Sequence, residues 1–249
     1  MSDVKAFVFD VGGVFRDSSK ALHFSYKKAF EKHRLEFPFS VRETWLLQGF
    51  DEFNNFYQIH RTLLAVLRGK ANVSEILENE DPVKETLKII EKNVFGKDEG
   101  MLKDMEDYAF KIFATEESKK MIRVYDGVKE GIKLLNSRKF PMGVVSVAKR
   151  DLNVKWLKDH IGDYFNPVLG SDEFTTKVEG IKECCEAFRL NPENVAMVGD
   201  SITDLRNGRK VGCKTVALLC GMGMEKFLRN ESPDYVFKDV LEVAKYFCK

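Results

Sequence analysis

Glutamine is almost missing from this chain of 249 residues, occurring at Gln48 and Gln58 alone, while glutamate and lysine are abundant. That balance is shared with heat-adapted proteins. An excess of either charge is also missing: 40 basic and 39 acidic residues leave a net charge of +1. Without a basic field, a bulk nucleic-acid binder is disfavoured, and there is no acidic tail. No apolar run approaches the roughly 18–20 residues of a transmembrane helix. The start, Met1-Ser2-Asp3-Val4-Lys5, is polar and unlike a secretory leader, so the expected location is the cytoplasm. The cysteines, Cys184, Cys185, Cys213, Cys220 and Cys248, are odd in number, lie in the last third and form no C-x-x-C pair. They read as reduced packing residues rather than a disulfide framework or a zinc site.

What is present suits a globular protein. Hydrophobic residues make up 44% and charged residues 32% of the chain, enough for a core and a solvated surface. Ala6-Phe7-Val8-Phe9 is a short apolar run stopped by Asp10 and Gly12-Gly13, the pattern of a buried strand and a flexible turn. Residues from about 18 to 120 carry helix-period segments (Ala21 to Phe30, Phe53 to Leu67, Val83 to Val94, Met101 to Phe113) and no strand-like run. Asp81-Pro82 reads as a helix start. Beyond about 121, apolar runs alternate with amphipathic helices. The runs are 142–147, 167–170, 195–200, 214–219 and 235–237. Such β-α alternation predicts a parallel sheet covered on both faces. The first strand needs partners that appear more than 100 residues later. The expected fold is therefore α/β: a Rossmann-like three-layer core from residues 1–16 and 121–249, with an all-helical domain, 17–120, inserted after the first strand. No internal repeat or low-complexity linker interrupts it.

In open α/β sheets reactive groups collect at the carboxyl ends of the strands. Those ends here carry Asp10, Ser146, Asp200 followed by Asp204, and, a few residues past its strand, Lys177. Several carboxylates, a lysine and a hydroxyl on one edge suit a phosphate and a divalent metal. Turns flanked by glycine, such as Gly12-Gly13, expose backbone N–H groups that bind phosphate oxygens. Taken singly, each residue has an ordinary reading. A strand-end Asp is commonly a cap, Gly199-Asp200 fits a strand-to-helix turn, Ser146 fits a turn, and Lys177 fits a solvated helix. Their occurrence in this order on these elements is what points to chemistry.

The run Phe9-Asp10-Val11-Gly12-Gly13-Val14-Phe15-Arg16-Asp17-Ser18 resembles the first motif of the haloacid dehalogenase (HAD) superfamily of hydrolases, in its phosphoglycolate-phosphatase-like branch. Val144-Val145-Ser146 resembles the second motif. Lys177 resembles the third, with Val178 in place of the usual proline. Val198-Gly199-Asp200-Ser201-Ile202-Thr203-Asp204 resembles the fourth and is the most specific. The helical stretch is similar in position to the family's cap, with expected hinges near Phe15–Ser18 and Glu117–Arg123. The resemblance implies a nucleophilic Asp10 that forms an aspartyl-phosphate. It implies Mg²⁺ held by Asp10, the Gly12 carbonyl, Asp200 and Asp204. Ser146, the Val147 N–H, Gly13 and Lys177 are then expected around the phosphate, with Lys177 neutralising the cluster. The implied partner is a small phosphorylated metabolite, with no nucleic acid or membrane, and the expected state is a monomer.

One departure matters. Phosphatases of this family carry a second Asp two residues after the nucleophile, which protonates the leaving group and then activates water; here that position is Gly12. Positioned acid–base catalysis is worth about 10²–10⁴-fold. Three readings follow: a Mg²⁺-dependent phosphatase that is weak or restricted to good leaving groups such as acyl or aryl phosphates, a phosphonatase- or dehalogenase-like hydrolase, or a non-catalytic phosphate- or partner-binding protein. A phosphonatase needs a cap lysine, for which Lys20, Lys27 and Lys28 are available. Asp17, Arg16 and His23 are the nearby stand-ins for the missing acid. Asp17 reads better as a hinge residue and His23 as a surface or packing histidine. In the aromatic stretch Phe50 to Tyr57, helical spacing favours a core over a substrate pocket. Lys149-Arg150 fits either an anion contact or a solvated helix start.

Overall fold

The computed structural model describes residues 3–249. The chain opens with strand β1 (Ala6–Phe9) and the two-residue β2 (Arg16–Asp17). Seven helices follow: α1 (Ser19–Lys32), α2 (Val41–Gln48), α3 (Phe56–Gly69), α4 (Val73–Glu78), α5 (Pro82–Asn93), α6 (Glu99–Phe113) and α7 (Glu116–Lys119). Then come β3 (Arg123–Val124), α8 (Val128–Ser137), β4 (Met142–Val145), α9 (Arg150–His160), β5 (Val168–Leu169) and α10 (Lys177–Phe188). The chain finishes with β6 (Val195–Gly199), α11 (Ile202–Val211), β7 (Lys214–Leu218), α12 (Glu225–Asn230), β8 (Tyr235–Phe237) and α13 (Val240–Phe247). Two compact units result, one from the stretch ending at Asp17 plus Val124–Lys249, the other from Ser18–Arg123.

The first unit holds a parallel sheet in the order β5-β4-β1-β6-β7-β8. β1, β4 and β6 are buried along their whole length, which is why they read as continuous apolar runs rather than alternating ones. Alternate residues feed opposite faces. Phe7, Phe9, Val144 and Val198 pack with Ile132 of α8, Leu157 of α9 and Val243 of α13. Ala6, Val8, Val145 and Met197 pack with Ile181, Cys184 and Cys185 of α10. Burying a side chain such as Phe7 or Phe9 contributes about 1.5–3 kcal/mol before entropy is counted. The cysteines are free, and all but Cys220 are buried.

The strand order has a consequence for function. From β1 the chain builds outward through β4 and β5, then returns to place β6 on the other side of β1. β1 and β6 thus flank the switch point of the sheet, where a crevice opens at the carboxyl ends. Phe9 lies opposite both Val144 and Val198. The residues just past these three strands therefore share one edge.

The second unit is helical, as its periodicity predicts. α1 packs on α6, and α3 on α5 and α6, around buried Tyr26, Phe30, Leu63, Leu64, Leu102 and Met105. Asp81 caps α5, its side chain accepting from the Lys84 N–H, with Pro82 in the first turn. Asn55, Asn72 and Ser40 cap α3, α4 and α2 in the same way. Phe50 and Phe53 are buried in this unit, in keeping with a core role, and Phe56 packs edge-on against Tyr26, Phe110 and Phe113. The His23 ring lies edge-on to Phe37 and within 3.4 Å of the Thr44 hydroxyl, a packing histidine. No helix among the described residues is long and apolar enough to cross a membrane.

Candidate active site

Asp10 follows the last residue of β1, and its N–H is fixed by the Val198 carbonyl at 3.0 Å. Asp200 follows β6. Asp204 lies in the first turn of α11, where Ser201 is the N-cap. The Ser201 hydroxyl donates to Asp204 Oδ2 at 2.7 Å and accepts from the Asp204 N–H at 3.2 Å. One oxygen from each of the three carboxylates lies within 4.8 Å of the others, and all three residues are buried.

Lys177 is the first residue of α10, whose start is fixed by a capping box between Thr176 and Glu179. From there its Nζ donates to Asp10 Oδ1 at 2.9 Å and to Asp204 Oδ1 at 2.7 Å. Burial opposes the charge on Lys177, but attraction to Asp10 and Asp204 outweighs it and raises its pKa. Lys177 does not balance three carboxylates, and with Arg16, whose charge also interacts with Asp10, the set is still one positive charge short. Burial raises the pKa of Asp10, with Lys177 acting against the shift and Asp204 with it. Asp200 is pushed well above the ordinary 3.8, first by burial and then by the charges of Asp204 and Asp10.

That imbalance tests whether a divalent cation fits. Mg²⁺ binds oxygen at about 2.0–2.1 Å, so opposite ligands sit roughly 4 Å apart. Carboxylate oxygens within 4.8 Å of one another match one such ion after small adjustments. The donor set is all oxygen, and the missing positive charge is what the ion would bring.

The backbone is shaped around Asp200. Gly13 has a φ of +73°, and a Cβ there would lie 1.9 Å from Asp200 Oδ2. Glycine at this position admits the carboxylate, a role of space rather than of donation, because the Gly13 N–H is spent on the Arg16 carbonyl at 3.0 Å. Gly12 is different. A Cβ there would meet only Asp10 Oδ2, at 4.0 Å, so the space beside the Asp10 carboxylate is open.

Ser146 stands one residue past β4, neighbour to β1, and is buried, its Oγ within 3.5 Å of the Ala148 N–H. Val147 beyond it is 73% exposed. Lys149 precedes α9, and the Arg150 N–H is capped by Asp172. Asp17 is buried. The Arg16 guanidinium lies 5.6 Å from the Trp156 ring centre, and its buried Nε has no hydrogen-bond partner. The sequence reading missed the loop after β7. There the Met222 N–H donates to Asp200 Oδ2 at 2.8 Å, and the Gly223 N–H to the Asp200 carbonyl at 3.0 Å. The run Cys220-Gly221-Met222-Gly223 after a strand is the signal that could have found it, because paired glycines mark close backbone approach.

A doubly wound parallel sheet with a carboxylate–lysine cluster at its switch point defines an α/β protein whose reactive side chains gather at the carboxyl ends of its strands. A profile of haloacid dehalogenase-like hydrolases matches residues 7–218, and the chain belongs to that family. Its relatives include the pyrophosphatase PpaX of Halalkalibacterium halodurans, 27% identical over 50% of this chain and 61% of the relative. Phosphoglycolate phosphatases resemble it too. That of Chromobacterium violaceum is 31% identical over 38% of this chain and 45% of the relative. That of Nitrosococcus oceani is 27% identical over 71% and 80%. The chain thus spans about half the length of the first two. Among solved structures, a Lactobacillus delbrueckii subsp. bulgaricus protein proposed to be a phosphoglycolate phosphatase superposes with a TM-score of 0.75 at 18% identity, covering 99% of this chain and 98% of that one. A haloacid dehalogenase-like family hydrolase from Streptococcus pneumoniae gives 0.64 at 19% identity, covering 99% and 100%. At these identities the likeness concerns the fold.

Proposed function

We propose that the protein is a Mg²⁺-dependent hydrolase of small phosphorylated compounds, acting through an aspartyl-phosphate on Asp10, and that Gly12 makes it slow. One observation carries this reading: the Asp10 carboxylate is buried at the switch point, bonded at 2.9 Å to Lys177, in a cluster with Asp200 and Asp204. Relatives named as a pyrophosphatase and as phosphoglycolate phosphatases support a phosphorylated substrate.

In this reading Lys177 lowers the cost of bringing an anionic phosphoryl group against an anionic nucleophile. It also holds Asp10 oriented through Oδ1, leaving Oδ2 for attack. Ser146 and the Val147 N–H bind phosphoryl oxygens from the neighbouring strand end. Asp10, Asp200, Asp204 and the Gly12 carbonyl would hold Mg²⁺, which when bound supplies positive charge to the transferring group. The buried Asp200–Asp204 pair sets this reading above a metal-free dehalogenase.

The test is orthophosphate release from an aryl phosphate with Mg²⁺ and with chelator. Release by the protein as it stands, lost in chelator and in Asp10→Asn, is the expected result. Release that survives Asp10→Asn would remove the covalent mechanism. A Mg²⁺-stabilised protein with no release from any phosphate ester would favour a non-catalytic phosphate binder.

A further inference from the structure

Resting on the hydrolase reading, we propose that this site is selective for phosphoryl groups carried on acidic leaving groups, the acyl phosphates and phosphoanhydrides, and turns over alkyl phosphates poorly. The argument is an inventory of proton donors. Among the described residues, the acidic side chains of the turns and helix starts that carry the cluster are engaged. Asp200 accepts from the Met222 N–H, and Asp204 from Lys177 and the Ser201 hydroxyl. Glu179 accepts from the Thr175 and Thr176 N–H groups. Asp172 accepts from the Arg150 N–H, and Glu173 from the Gly170 N–H. Asp17 is buried and has a partner of its own. Lys177 is committed to Asp10 and Asp204. Arg16 is held over Trp156, and a guanidinium does not give up its proton at neutral pH. Beside Asp10 itself there is open space at Gly12 and no side chain to fill it.

The leaving oxygen therefore departs without a proton. In the first step an Asp10 oxygen bonds to phosphorus, the bond from phosphorus to the leaving oxygen breaks, and the electron pair leaves with that oxygen. In the second step a water oxygen bonds to phosphorus, the bond to Asp10 breaks with its pair returning to the carboxylate, and the water proton goes to solvent. The leaving anion's stability then sets the first barrier. A carboxylic acid has a pKa of about 4, a phosphate monoester about 6, a phenol about 10, and water, close to an alcohol, about 15.7. With a loose transition state, most of that difference is felt in the rate. The second step also lacks a base, so good substrates should pile up as phosphoenzyme.

The experiment is kcat/KM for aryl phosphates of graded phenol pKa, with acetyl phosphate and glycerol phosphate as the acyl and alkyl extremes. For the protein as it stands, kcat/KM should fall roughly five- to tenfold per unit of phenol pKa. Over the better leaving groups kcat should stay level, with a one-phosphoryl mass adduct that Asp10→Asn lacks. In Gly12→Asp the slope should flatten and the adduct vanish. Should that variant misfold, small acids added to the unaltered protein should fill the Gly12 space, raising kcat/KM for glycerol phosphate and leaving kcat/KM for acetyl phosphate unchanged. A shallow slope in the unaltered protein, or glycerol phosphate turned over as fast as acetyl phosphate, overturns the selectivity and leaves the hydrolase reading standing. No phosphate release and no adduct, with or without Gly12→Asp, overturns the hydrolase reading itself.

Discussion

Replacing Asp200 with Asn should make the metal-free protein more stable and the metal-bound protein impossible to reach. Asp200 is 1% exposed, and its nearest oxygen shares a 4.8 Å cluster with Asp10 and Asp204. At an effective dielectric of about 20, each repulsion at 4.8 Å costs about 3.5 kcal/mol. Lys177 offsets part of this, which leaves a net gain of about 2–4 kcal/mol when the charge is deleted. Asn keeps the shape and the oxygen that accepts from Met222 at 2.8 Å, so packing changes little. The sign with pH follows from linkage. The pKa of Asp200 is raised in the fold, so below the ordinary value of 3.8 its carboxyl is neutral in both states and costs nothing. As pH climbs towards the raised folded value, the unfolded chain ionises first, and stability falls by about 1.4 kcal/mol per unit. Asp200→Asn removes that loss. In chelator at pH 8 its melting midpoint should therefore lie above the parent's by roughly 5–15 °C, a gap that closes towards pH 4. Added Mg²⁺ should raise the parent midpoint by mass action, about 2.7 kcal/mol at a hundred times Kd, and leave the variant unmoved. Thermal unfolding across pH, with and without Mg²⁺, reads all of this. A variant less stable than the parent in chelator at pH 8, or one that gains as much from Mg²⁺, would refute the charge-crowding argument.

His60 predicts acid sensitivity in the helical unit. Burial pulls its pKa down to about 4, its Nδ1 faces the Phe56 carbonyl, and its Nε2 is buried without a partner. Stability is whole above the ordinary 6.5 and is lost as pH falls towards 4, by about 2 kcal/mol at pH 5. His60→Phe, placed between Tyr26 and Phe30, should flatten the melting midpoint between pH 7 and 5; an unchanged acid slope would clear His60. The two adjacent glycines should part company. Gly13→Ala forces a Cβ into Asp200 at a φ of +73° and should cost about 2–4 kcal/mol together with Mg²⁺ affinity. Gly12→Ala meets open space and should leave stability within about 0.5 kcal/mol. Equal melting curves for the two would contradict the geometry.

The sequence by itself determined the elements whose signal is local. The runs that became β1, β4 and β6 are apolar throughout because both faces of a parallel strand are buried, and that burial needs no knowledge of neighbours to be read. Asp81-Pro82 announced α5 because a cap is a contact within one turn. The strand-end positions of Asp10, Ser146 and Asp200, and the absence of a side chain at Gly12, were equally local. Short elements escaped: α2, α4, α7 and α12 span too few turns for a period to show, and their stability comes from what they pack against.

Only the tertiary structure decided what those residues are to one another. Asp10 and Lys177 are 167 positions apart, and their 2.9 Å bond exists because the sheet returns β6 to the side of β1 and carries α10 with it. Gly13 is also the gap that admits Asp200, a role invisible without the φ angle and the facing carboxylate. The Met222 N–H on Asp200 went unseen for the same reason, since residues 22 apart meet only once β7 is paired to β6. Residue types and local spacing select the chemistry, and through-space distance decides the charge balance, because Coulomb energy depends on separation and burial and not on position along the chain.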